Sequence, residues 1–154
     1  MGSRVSAEHS RDRGETITGM FSLEMIGYYD ATPGSQRYPR EVSYFYPERG
    51  DFIAFVSNLT SRPLLHRSIR RFRAQAILPA EGLAAPEWLV PHVRRSDNAA
   101  YWDAGFPAVM VTDTSNFRNP HYHKAGDQPH TLDYARMARA VTGLTAMFEQ
   151  LAQE

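Results

Sequence analysis

No cysteine occurs among the 154 residues, which excludes a disulfide framework and thiolate metal ligands and fits a reducing or an oxidising compartment equally. Net charge of either sign is also missing. Lys plus Arg and Asp plus Glu number 17 each, so the chain has no electrostatic footprint for nucleic acid or an anionic membrane, and a small or neutral partner is the expectation. No run of about 18 apolar residues is available to cross a bilayer. The opening "MGSRVSAEHSRDRGETITG" lacks the apolar stretch of a signal peptide. The expectation is a soluble chain whose compartment the sequence does not specify. HExxH, the helix-borne zinc motif, is absent, and no serine sits in the GxSxG elbow of a serine hydrolase.

What is present reads as one domain spanning residues 1–154. A chain of this length can bury roughly 70% of its unfolded surface, and the 42% hydrophobic and 12% aromatic content supports a core rather than disorder. Residues 3 to 16 read as a short polar helix stopped near Gly14. "MFSLEMIGYY", residues 20 to 29, reads as a strand buried on both faces. "DFIAFVSN", residues 51 to 58, is a second strand. The helix after it has Ser61 as N-cap and Pro63 in the first turn. "QAILP" is a candidate short strand, and the stretch after it, broken by Pro79, Pro86 and Pro91, reads as a long functional loop. "FPAVMVTDT", residues 106 to 114, is a further strand. From Thr131 onward, Tyr134, Met137, Val141, Leu144, Phe148 and Leu151 define one helical face. Strands alternating with helices imply an α/β sandwich with its site at the carboxyl ends of strands.

Two placements carry chemistry. His121, His123, Asp127 and His130 crowd into "HYHKAGDQPH", and imidazole with carboxylate is the ligand set of a zinc site made without cysteine. A solvated polar loop is the alternative. Glu24 interrupts an apolar run, where an ionised carboxylate is costly to bury without a partner. A metal would supply one, as would an arginine, and a strand that ends there would release it to solvent. Asp97, in "RRSDNAAYW", reads as capping or orienting a helix start or bracing the site. The arginines of "RSIRRFR" read as a solvated helix face in a chain of zero net charge.

"FSLEMIGYY", "RRSDNAAYWDAGFPAVMVTDT" and "FRNPHYHKAGDQPHTLDYARMARAV" together resemble, in order and spacing, the co-catalytic dizinc exopeptidases of peptidase family M-twenty-eight. That family includes bacterial leucyl-type aminopeptidases and is related to glutaminyl cyclases. The resemblance implies a three-layer α/β/α sandwich around a mixed sheet and hydrolysis of N-terminal residues from peptides. It further implies two zinc ions that share and acidify a water, with a carboxylate as general base. By position, Glu24 would be an acidic ligand of one zinc and His123 the terminal histidine ligand of the other. Asp127 would support His123 from behind as a hydrogen-bond partner.

Two local departures are Asn98 and Lys124-Ala125, where the family commonly has histidine and Thr-Pro. A larger one lies ahead of the "LEMIGY" strand. There the family places a histidine, a bridging aspartate and a Glu-Glu pair, whereas this chain offers only His9 with Glu8, Asp12 and Glu15 and has no Glu-Glu pair anywhere. A catalytic zinc takes three protein ligands, so the expectation is weak or partial zinc occupancy and no general base on this chain alone. Three readings stay open: the C-terminal portion of a longer enzyme, one half of a split enzyme, or a non-catalytic oligomerising or interaction relative. In each, a half sheet leaves an edge and an apolar face to be covered, so the expected partner is a second copy or a complementary N-terminal half, with a peptide as substrate once the site is complete.

Overall fold

The computed structural model describes residues 2–40 and 42–153. The elements are α1 (Gly2–Asp12), β1 (Met20–Glu24), β2 (Ile53–Ser57), α2 (Arg62–Ala74), β3 (Ala80–Ala84), α3 (Asn98–Asp103), β4 (Ala108–Thr112) and α4 (Tyr134–Leu151). The four strands make one mixed sheet in the order β1-β4-β2-β3. β1 runs parallel to β4 and β2 parallel to β3, while β2 and β4 are antiparallel. Every residue of β2 and β4 is buried, as expected for central strands covered on both faces.

Alternation along the strands sorts their side chains into two cores. Ile53, Phe55, Val109 and Val111 face α2 and α4 through Leu65, Ile69, Phe72, Leu144 and Met147. Ala54, Val56, Ala108 and Met110 face the other way, onto Val90, Val93 and Trp102. Helices on one side, the sheet, and α3 with its flanking segments on the other give the three-layer α/β/α arrangement. β1 is an outer strand, with β4 on one side and no strand on the other among the described residues, and its Leu23 is 51% exposed. No helix among the described residues is long and apolar enough to cross a membrane.

Several local expectations shift. β1 stops at Glu24 rather than running to residue 29, because Met25 takes φ 55. "QAILP" is not a strand: Ala76 is left-handed at φ 51, and pairing begins only at Ala80. β3 and α3 lie within the stretch expected to be a loop. Ser61 stands at the start of α2 without capping it, and its hydroxyl instead accepts the Ala108 N–H at the entry to β4 (3.1 Å). The inner face of α4 is Ala140, Gly143, Leu144 and Met147, whereas Tyr134 and Val141 are about half exposed. The small residues turn inward because they let the helix approach Phe72 of α2 closely.

α4 is started by Asp133, whose carboxylate accepts the Arg136 N–H at 2.9 Å and the Arg136 guanidinium at 2.8 Å. These donors hold the Asp133 carboxyl below its ordinary value, the Arg136 N–H most of all. A carboxyl whose folded pKa is depressed adds stability above its unfolded pKa and loses it as pH falls through the folded value. Asp133→Ala is therefore expected to cost about 1 kcal/mol at pH 7. The deficit should shrink in urea titrations as the pH is taken below the ordinary carboxylate range.

Candidate functional site

At the carboxyl ends of β1 and β4 a cleft opens on the α3 side of the sheet. Glu24, Thr112, Thr114, Ser115, His92, Arg95 and Tyr122 line its polar side, and Tyr38, Val42, Tyr46, Phe52, Val56, Val93 and Met110 its apolar side. The space it encloses, part of it open to solvent, is about 880 Å³. The hydroxyls of the two tyrosines are engaged by backbone carbonyls: Tyr38 donates to that of Pro47 (2.6 Å) and Tyr46 to that of Gly82 (2.8 Å). Burial pushes both phenols above their ordinary pKa, so they stay neutral. A largely apolar concavity with a few convergent polar groups at one end is the usual form of a small-ligand site.

Glu24 is the last residue of β1 and only partly buried. Its Oε2 accepts the Ser96 hydroxyl at 2.9 Å, so the carboxylate emerges at the strand end with a hydroxyl rather than an arginine as partner. Two residues earlier on the same face, the Ser22 hydroxyl meets Asn98 Oδ1 at 3.3 Å, and Asn98 in turn donates to the Val93 carbonyl at 2.8 Å. Asn98 is fully buried. Asn98 therefore ties α3 to β1 through its side-chain amide.

The other expected residues are mostly exposed. His123 is exposed, left-handed at φ 55, with its ring 4.0 Å from that of Tyr122, which does line the cleft. Asp127 is exposed and accepts from Asn119 Nδ2 (3.2 Å). Asp97 stands at the N-cap, immediately before α3, and is exposed, and its carboxylate makes no capping bond. Its backbone is already helical at φ −57 and ψ −23, whereas a capping side chain needs an extended residue. His121 packs over Gly126, where a Cβ would lie 2.6 Å from its Nδ1, and His130 is exposed. Among the described residues no three His, Asp or Glu side chains come together in a group that could hold a metal. The donors among the described residues therefore do not by themselves make a zinc site.

Sequence reasoning missed three residues here. His92 lines the cleft with its ring edge-on to Phe117 at 5.2 Å, and burial, with Arg95 nearby, pulls its pKa below the ordinary value. The imidazole is neutral at pH 7. Asp113 and Arg118 are buried behind the cleft at 1% and 5% exposure. A charged residue inside "VMVTDTSNFRN" was the available signal for both.

Comparison with known proteins bears on the fold. LapA aminopeptidase of Legionella pneumophila superposes with a TM-score of 0.67 over 99% of this chain and 36% of its own length, at 18% identity. BSAP, a zinc aminopeptidase from Bacillus subtilis, gives 0.63 over 97% of this chain and 32% of its own, at 16% identity. The fold is that of the bacterial aminopeptidases. At such identities the likeness is one of fold. In sequence, the chain is 38% identical over 147 residues to YfbL, an uncharacterized protein of Escherichia coli strain K12; the match covers 92% of this chain and 44% of YfbL. No protein-family model matches. The chain thus spans less than half the length of this relative and about a third of the aminopeptidases.

Proposed function

We propose that this chain carries part of the site of a zinc-dependent aminopeptidase, hydrolysing N-terminal residues from peptides, and that the remaining ligands and the general base come from a segment or subunit paired with it. The observation that carries the reading is the position of Glu24: a carboxylate at the carboxyl end of the outer strand, on the rim of an apolar cleft, in a fold shared with zinc aminopeptidases. Glu24 and His123 are the donors offered to the metals, and Asp127 and Asp97 act around them. The cleft, walled by Tyr38, Tyr46, Phe52 and Met110, suits an apolar side chain at the peptide N-terminus. The unpaired side of β1 is where the completing segment, or a second copy, would add to the sheet.

One observation favours a different class of function, a non-catalytic interaction module: the described residues hold no metal-binding group. A chimera separates the two. The part of YfbL that this chain does not match is joined to it, and zinc content and hydrolysis of leucyl p-nitroanilide are compared with those of the chain alone. The chain alone is expected to hold zinc weakly and to be inert. The chimera is expected to bind two zinc ions, to turn over in a chelator-sensitive way, and to lose at least about tenfold in zinc affinity with Glu24→Gln. A folded chimera that is metal-free and inert, or one indifferent to Glu24→Gln, overturns the proposal.

A further inference from the structure

We infer that Asp113 is a positioning residue for Glu24, clamping together with Arg118 the peptide units that leave β1. The inference takes Glu24 as the functional carboxylate proposed above. Glu24 ends its strand because the next residue, Met25, turns into the left-handed region at φ 55, a conformation unfavourable for a residue with a side chain. Such a turn persists only where the surroundings over-determine it, and here Asp113 does so. Its N–H donates to the Met25 carbonyl at 2.6 Å. Its Oδ2 accepts both the Gly27 N–H (3.1 Å) and the Tyr28 N–H (2.8 Å). Arg118 takes the far side of the same segment, donating from Nη1 to the Tyr28 carbonyl at 3.2 Å.

The same carboxylate governs the exit of β4. Oδ1 accepts the Ser115 N–H at 3.0 Å, and Thr114 and Ser115 are themselves left-handed at φ 75 and φ 44. Both strand ends that meet at the cleft therefore hang on one side chain. With three backbone donors on its oxygens and 1% exposure, Asp113 is committed to the backbone and does not line the cleft. Its effect on the site runs through the direction in which Glu24 leaves the sheet to meet Ser96. An asparagine cannot replace it, because only one of its side-chain atoms accepts and its NH2 would face backbone N–H groups on one side or the other.

A double-mutant cycle on unfolding tests this. Ser96→Ala, which removes the hydroxyl bonded to Glu24, is expected to lower the folded-to-unfolded ratio about fivefold in the native background, and less than about twofold in the Asp113→Asn background, where Glu24 is no longer held against Ser96. Equal losses in the two backgrounds overturn the inference, since a merely structural Asp113 would give additive effects. If Asp113→Asn does not fold, Arg118→Lys serves in the same cycle, because a single ammonium cannot reproduce the guanidinium's set of contacts. Faster amide exchange at Gly27 and Tyr28, with the sheet unchanged, is the accompanying local readout; unchanged exchange there overturns the clamp. The cycle needs neither metal nor substrate. An additive cycle beside Glu24-dependent zinc binding removes only the clamp, and coupling without such binding removes only the peptidase reading.

Discussion

Replacing Arg118 with methionine is expected to destabilise the fold by about 3–5 kcal/mol at pH 7, because a buried, hydrogen-bonded cation leaves its partners uncompensated when it goes. The guanidinium donates from Nε to Gln36 Oε1 at 2.8 Å and from Nη1 to the Phe52 carbonyl at 2.9 Å as well as to Tyr28. It lies 4.6 Å from the Phe52 ring centroid. A Cβ on Gly50 would lie 2.6 Å from its Cδ and Nε, so the side chain fills its slot. Methionine restores much of the volume, and the loss is then polar rather than a cavity. Arg118 is also one of the groups that lower the pKa of Asp113, whose carboxyl is raised above its ordinary value chiefly by burial. In the variant that carboxyl rises further. A raised folded pKa stabilises below the unfolded pKa, and that advantage is lost as pH rises through the folded value. The gap between variant and native protein should accordingly be widest near neutral pH and narrow as pH falls toward about 4. Urea titrations of both at pH 7 and pH 5 check the sign. A constant gap would remove Asp113 from the account.

Arg118 also illustrates what the sequence makes legible. The layered α/β fold follows from local patterning: the two central strands are continuous apolar runs, and α2 begins one residue after the expected Ser61. Glu24 is conspicuous because a carboxylate in an apolar run needs a partner or an exit, and the structure gives it the exit, with Ser96 as neighbour. The end of β1 is not legible in this way, because Ile26 to Tyr29 are as apolar as a strand. The chain turns there on contacts with Asp113, more than 80 residues away. β3, with the sequence AEGLA, carries a charge and a glycine that weaken any strand signal, and only pairing with β2 makes it one. His92 joins the cleft by tertiary packing alone. In each case the deciding interaction is distant in sequence, where periodicity carries no information.

The face of α4 poses the same problem in the core, and there the consequence is measurable. Phe72, 1% exposed, stands edge-on to Phe55 at 5.3 Å and meets α4 at Gly143, where a Cβ would lie 2.6 Å from its Cε2. Phe72→Ala is expected to cost about 3–5 kcal/mol, from lost burial plus the cavity left between α2, α4 and the sheet. For a domain of this size that lowers the melting temperature by roughly 10 °C. Gly143→Ala alone gains about 1 kcal/mol of helix propensity but forces a rigid buried ring to move, which typically costs about 1–3 kcal/mol, so it should be neutral to destabilising. In the Phe72→Ala background the clash is gone and the added methyl occupies part of the cavity. Gly143→Ala should then stabilise, and the two effects together should depart from additivity by about 1–3 kcal/mol. A sign that stays the same in both backgrounds would mean that α4 does not rest on α2 through this contact, and that the larger residues Met137, Val141 and Leu144 set its face as periodicity alone suggests.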